Sequence, residues 1–359
     1  MEKPIRFYRL LMPTFLLEDL IGFLAMQESV NIDPSGAITF FSRICVDGHS
    51  NGCIVRAVTH IHSDHTIDLN KSTLLCKYII GTPITIDLLD VLGYSIPKVK
   101  KIALEYNQTL VFDDTKIWLL YADHIPGSAQ IVAEKNSAVL AYTSDFKNPG
   151  TKTVIVKEPN VLVIDATYGD PAYVREGEEA IWQKFIELIR KLLSQGPVAL
   201  YAYYGKAQEV MARLREYGID APFLLSHSHW KVHKVLERYG YSIQDVFPLG
   251  SREAEEIKRM GWFIEVNHTS SSKSYRNGVN FHIILTGRLA KTIYKLNSGN
   301  TWVVGISGHA DFNDILYYVD ESRPELLVVD GSRSVYAEKF ASLVRTQLGI
   351  EAKVMPKQF

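Results

Sequence analysis

Thr59-His60-Ile61-His62-Ser63-Asp64-His65 puts three imidazoles and one carboxylate into positions 60–65 of a chain that holds 11 histidines in 359 residues. The run before it, Cys53-Ile54-Val55-Arg56-Ala57-Val58, is β-branched and apolar and reads as a buried strand. The cluster then sits on the loop leaving a strand end, where a rigid sheet can position it. Imidazole and carboxylate suit zinc and similar divalent ions. Four such groups, with further donors arriving from elsewhere, exceed one tetrahedral shell. The spacing suggests two metals, with His60 and His62 on one and Asp64 and His65 on the other. The alternative is a solvated polar loop, and three histidines so close together argue against it.

Two other strand ends deliver matching donors. Lys116 to Tyr121 runs into Ala122-Asp123-His124-Ile125-Pro126-Gly127-Ser128, and Ala138 to Thr143 runs into Ser144-Asp145-Phe146. His124 would complete the His60/His62 metal. Asp145 could bridge both ions, because a carboxylate spans metals about 3.5–4 Å apart. Taken singly, His124 is a core histidine and Asp145 a turn residue. Their shared place at strand ends of one sheet favours ligation.

Composition bounds the rest. Hydrophobic content of 47%, charged content of 22% and a net charge of −1 describe an ordinary soluble chain with no global basic signature. A nucleic-acid partner would need a local positive field, supplied by metals and a lined groove. Cys45, Cys53 and Cys76 read as reduced core thiols of a cytoplasmic protein. Phe15 to Met26 reads as a helix beginning near Pro13. It is too short to span a bilayer, and it lacks the basic face of a membrane-surface helix.

The texture changes along the chain. Up to residue 145 it is strand-rich with short turns. Ala37 to Val46 and Leu74 to Ile80 each read as one strand, and Thr82-Pro83 opens a helix through Leu92. From Glu178 to Tyr239 helices and strands alternate, the pattern of an open, mostly parallel sheet. Asn280 to Thr286 is its last strand. Thr301 to Ile306 and Glu325 to Val329 then place Ser307-Gly308-His309-Ala310-Asp311 and Asp330-Gly331-Ser332-Arg333 at strand ends. The boundaries follow as residues 1–172, 173–299 and 300–359, the third part returning to the first.

Read together, Asp47, the His60-x-His62-x-Asp64-His65 signature, Asp123 to Ala129, Thr143 to Phe146, Asp165-Ala166-Thr167-Tyr168-Gly169-Asp170 and Ser307 to Asp311 resemble the β-CASP branch of the metallo-β-lactamase superfamily. The resemblance implies an α/β fold, an αββα sandwich with an inserted α/β (β-CASP) domain. It implies a metal-dependent nuclease that hydrolyses phosphodiester bonds of single-stranded nucleic acid, RNA or DNA, in processing or repair. The setting would be a homodimer or a processing complex. His60, His62 and His124 would hold one zinc; Asp64, His65 and the bridging Asp145 would hold a second ion. Asp64 would hold the attacking water, Asp165 would orient His309, and His309 would protonate the leaving oxygen. Asp47 would support the ligand histidines. RNA-processing relatives end a late strand with a ligand His before Gly. Here Asp330 stands there, and it could ligate a weaker second ion, such as manganese, through oxygen.

Candidates for the substrate groove are Lys206, at a helix start where free N–H groups meet phosphate, and Lys273, Tyr275 and Arg276, in a loop suited to a backbone and a base. The plain alternatives are a solvated Lys and a solvated loop. His227 and His229 read as surface or capping residues. Two other functions are consistent with the fold: a small-molecule metallohydrolase, and a catalytically silent β-CASP partner subunit.

Overall fold

The computed structural model describes residues 29–175, 177–273, 278–287, 293–296 and 299–356. The expected helix from Phe15 to Met26 lies outside them, as do Tyr275, Arg276 and the Lys273 side chain. The first sheet carries the histidine cluster. Its strands β1 (Val30–Ile32), β2 (Ile38–Phe40) and β3 (Ile44–Val46) pair antiparallel, and β4 (Val55–Ala57), β5 (Tyr78–Gly81) and β6 (Lys101–Ala103) extend it in parallel. Helices α1 (Leu69–Leu75) and α2 (Pro83–Val91) cover its outer face. The Thr82 hydroxyl caps α2 by accepting Thr85 N–H at 3.2 Å, and Pro83 opens the first turn.

Two expected strands are shorter than read. Ala37 to Val46 folds back at Phe41 and Ser42, which take φ of 48° and 57° without glycine, proline or asparagine to announce the turn. Leu74 and Leu75 end α1 with exposed side chains, so β5 begins only at Tyr78. The cysteine expectation also changes. Cys45 and Cys53 are joined by a disulfide, because β3 and the entry to β4 run side by side with these Cα atoms 5.8 Å apart; Cys76 alone is a free, buried thiol.

The second sheet faces the first. β7 (Thr109–Phe112), β8 (Thr115–Tyr121), β9 (Ala129–Lys135) and β10 (Ala138–Tyr142) form an antiparallel meander, and β11 (Val161–Ile164) joins β10 in parallel. Strand periodicity divides the packing. Val161 and Val163 meet Ile38, Val55 and Ile80 between the sheets, while Leu162 and Ile164 face the helices outside.

The insertion is a third, seven-stranded sheet. Its elements are α3 (Glu178–Leu193), β12 (Val198–Ala202), α4 (Lys206–Glu216), β13 (Phe223–Leu225), α5 (His227–Arg238), β14 (Val246–Pro248), α6 (Arg252–Met260), β15 (Ile264–His268), β16 (Phe281–Leu285), β17 (Ile293–Lys295) and β18 (Thr301–Val304). Every pairing is parallel except that of the edge strand β17 with β18. The return therefore does not start at residue 300. β18 hydrogen-bonds to β16 and completes the inserted sheet. The chain re-enters the sandwich through α7 (Phe312–Ser322), β19 (Leu326–Asp330), α8 (Ala337–Leu348) and β20 (Ala352–Met355), with β19 between β11 and β20. The fold is thus an αββα sandwich with an inserted α/β domain.

Buried charge ties insertion to sandwich. Lys147, in the loop after β10, donates to Glu209 of α4 at 2.7 Å and to Glu178 of α3 at 3.2 Å. Lys206 Nζ donates to Glu209 and, at 3.2 Å, to the Ser307 carbonyl. Gly205, at φ +79°, lets the start of α4 lie against Ile125, where a Cβ would come within 2.4 Å of that side chain.

Candidate metal centre

Four imidazoles crowd around Asp145, each held by one ring nitrogen. His60 Nδ1 meets Thr59 Oγ1 at 3.1 Å and Ser144 Oγ at 3.4 Å. His62 Nε2 donates to the Tyr204 carbonyl at 3.1 Å, His124 Nδ1 to the Gly308 carbonyl at 2.8 Å, and His65 Nδ1 to Asp47 Oδ2 at 2.6 Å. These partners leave His60 Nε2, His62 Nδ1 and His124 Nε2 facing inward as lone-pair donors, and turn His65 Nε2 towards Asp145. His62 Nδ1 lies 3.1 Å from His60 Nε2 and 3.2 Å from His124 Nε2. Asp145 Oδ2 lies 3.6 Å from His60 Nε2 and 3.4 Å from His124 Nε2, while Oδ1 lies 3.2 Å from His65 Nε2.

Burial decides the protonation of three of these rings. It holds His60 and His124 well below the ordinary histidine value and His62 at about 4, against the pull of Asp145. For His65 burial acts the same way, but Asp145 and Asp47 outweigh it and raise the ring well above its usual value. Burial likewise opposes ionisation of Asp145, and His65 and His309 overcome it, so this carboxyl stays well below its usual range.

Asp64 and His65 form the more open edge. Asp64 Oδ2 is 3.5 Å from His65 Nε2, with the Asp64 side chain 58% exposed. Asp47 is fully buried at φ 53°, and its carboxylate also accepts Thr59 N–H at 2.9 Å and Thr59 Oγ1 at 2.6 Å. On the opposite side, Asp165 Oδ1 accepts both donors of Thr167, at 2.9 and 2.7 Å, which turns Oδ2 to His309 Nδ1 at 3.3 Å. His309 Nε2 then lies 3.6 Å from Asp145 Oδ2. Burial alone would lower the His309 pKa, but Asp145 and Asp165 raise it above the usual value. Arg175 stacks over Tyr168 at 4.9 Å and donates to the His309 carbonyl.

Among the described residues, three or more ligand-type groups converge within 4.8 Å at two places, His60/His62/His124/Asp145 and Asp145/Asp165/His309. Residues 293–356 match the family described as Zn-dependent metallo-hydrolase RNA specificity domain. An uncharacterized protein in the lig 3'region of Acidianus ambivalens is 40% identical over 138 residues, 38% of this chain and 98% of that protein. A probable RNase MJ4 of Methanocaldococcus jannaschii is 26% identical over 243 residues, 65% of this chain and 49% of its own. The DNA cross-link repair 1A protein of Mus musculus is 27% identical over 163 residues, 43% of this chain and 15% of its own. The chain belongs to the β-CASP branch of the metallo-β-lactamase superfamily. It spans about half the length of the second relative and a smaller share of the third.

The donor set of this β-CASP chain fits a divalent cation. Inward imidazole lone pairs surround a buried carboxylate. His65 Nε2 is buried 3.2 Å from Asp145 and 3.5 Å from Asp64 without a hydrogen bond to either. Asp330 does not join them. It is fully buried at the end of β19, its Oδ1 accepting Ser332 N–H at 2.9 Å and its Oδ2 pairing with Arg333 at 2.6 Å. Lys206 differs from expectation as well: Glu209 and the Ser307 carbonyl hold its ammonium in a buried position rather than leaving it free for phosphate. His229 is fully buried beside Tyr204 and His268, with burial lowering its pKa to about 4, so it is no surface residue.

The residues missed in the sequence are the supports. Thr59, Ser144 and Thr167 carry no signal as single hydroxyls, and Tyr204 and Gly308 act through backbone carbonyls. Arg56 did carry one: a lone charge inside an apolar strand is anomalous unless paired. It is fully buried and donates to the His65 carbonyl at 2.9 Å.

Proposed function

We propose that this chain is a metal-dependent nuclease that hydrolyses phosphodiester bonds of single-stranded RNA or DNA. One ion, zinc, would be held by His60, His62, His124 and Asp145; a second, zinc or manganese, by Asp64, His65 and the shared Asp145. When bound there, the ions supply Lewis acidity that lowers the pKa of a water and neutralises phosphate charge. Asp64 accepts the proton of the attacking water at the open edge. His309, on the other side of Asp145, donates a proton to the oxygen that leaves phosphorus. Asp165 positions His309, and Thr167 fixes Asp165.

The observation that carries the reading is the pairing of an Asp-oriented His309 with the imidazole cluster across one shared carboxylate. The cluster alone would suit a small-molecule hydrolase, and an acid aimed at its far side suits an alkoxide leaving group. The experiment counts bound ions and incubates the protein and Asp64→Ala with end-labelled single-stranded RNA and DNA of one sequence. Asp64-dependent products are expected, and their ladder reads sugar preference and direction. Bound metal with neither strand cut would defeat the nuclease reading in favour of a small-molecule hydrolase or a silent partner.

A further inference from the structure

We infer that Arg333, anchored by Asp330, is a positioning residue that presents Asp64 and His65 to the second ion. The inference rests on the metal reading above. Four contacts carry it. Arg333 Nη2 donates to the Asp64 carbonyl at 2.9 Å and to the Asp47 carbonyl at 3.2 Å. Its Nη1 donates to Asp330 Oδ2 at 2.6 Å and to the Gly36 carbonyl at 3.0 Å. One planar guanidinium thus fixes the backbone of Asp64 and the backbone of Asp47, whose side chain orients His65. The geometry needs a fork of donors, which lysine does not have.

A second arginine completes the grip. Arg56 Nη2 donates to the His65 carbonyl at 2.9 Å, so the consecutive carbonyls of Asp64 and His65 are held by Arg333 and Arg56 respectively. The Arg333 side chain is 8% exposed and that of Asp330 0%, so this pair is shielded from solvent and from salt. Gly36, at φ +89°, sits where a Cβ would come within 3.4 Å of the Arg333 guanidinium, so the β1–β2 turn is shaped to receive it. Asp330 therefore acts through Arg333 and not through an ion.

This assignment and a ligand role for Asp330 give opposite results in one substitution. Zinc is titrated into metal-free wild type, Arg333→Lys, Arg333→Met and Asp330→His, and both dissociation constants are read with thermal stability alongside. Arg333→Met and Asp330→His should keep the tighter ion and bind the weaker one about 10–100-fold less well, the usual effect of removing a support of a metal ligand. Arg333→Lys, which keeps the charge and the fold but loses the fork, should fall between. Unchanged binding of the weaker ion by both Arg333 variants would overturn the inference, as would tighter binding by Asp330→His, which would make position 330 a ligand position. Wild type that binds no ion would instead overturn the metal reading itself.

Discussion

His60, His62 and His124 are held by neutral groups: two hydroxyls, and backbone carbonyls at Tyr204 and Gly308. Asp64 and His65 are held by charges, Asp47, Arg56 and Arg333. The origin of the supports differs too. Tyr204 follows β12 and Gly308 follows β18, both strands of the inserted sheet, whereas Asp47, Arg56 and Arg333 all belong to the sandwich. His62 and His124 thus depend on how the insertion docks, whereas His60, held by Thr59 and Ser144, and the Asp64/His65 side are prearranged by the sandwich alone. One site assembled by two kinds of support should fail in two separable ways.

The largest effect should come from the one group both sides share. Asp145→Ala removes the carboxylate that faces all four imidazoles, and it should abolish detectable cleavage together with retention of both ions, read by metal analysis after dialysis. Retention of two ions would mean that the sides do not share Asp145. Next is His309→Ala, which should slow cleavage about 10²–10⁴-fold, the usual contribution of a general acid, while both ions stay bound. An equally active His309→Ala protein would remove the acid from the scheme.

Smaller effects separate the sides. Gly308→Ala places a Cβ 3.0 Å from His124 Nδ1 and should weaken the tighter ion alone. Asp47→Asn loses the charge that fixes His65 directly and should weaken the other ion by about 10–100-fold, with a smaller loss at the tighter ion, because Asp47 reaches His60 only through the Thr59 hydroxyl. Titration of each variant with zinc measures both constants. If each substitution weakened both ions equally, the division into two supports would be wrong.

How much of this was legible in the sequence follows the same division. Donor-type residues at strand ends announced themselves, since β4, β8, β10 and β11 match apolar runs that stop at His or Asp. Helix α2 was legible because Thr82 and Pro83 mark a helix start chemically. Backbone supports are silent, because a carbonyl belongs to every residue and only the fold decides which one faces an imidazole. The stretch through β14, α6 and β15 was unread for another reason. In Arg252–Met260 only Ala254 and Ile257 are buried, too few for a helical period to stand out. Asp330 misled because a carboxylate at a strand end suits an ion and an arginine equally well, and its partner three residues on was decided only by the turn.

The last substitution probes the docking on which His62 and His124 depend. Burial alone would push the Glu209 carboxyl up, but Lys206 and Lys147 outweigh it and hold it at about 2. A carboxyl whose folded pKa lies below its ordinary 4.5 contributes stability that is fully present above that value and lost as pH falls towards about 2. Glu209→Gln should therefore melt lower than wild type at neutral pH, and the gap should close as pH falls from about 4.5 towards 2. Protonation of the site histidines occurs in both proteins and cancels in the difference. Because Lys206 also reaches the Ser307 carbonyl next to Gly308, the same variant should weaken the tighter ion and spare the one at Asp64 and His65. A melting gap that is constant with pH would mean that the Lys147–Glu209–Lys206 cluster does not hold insertion to sandwich through charge.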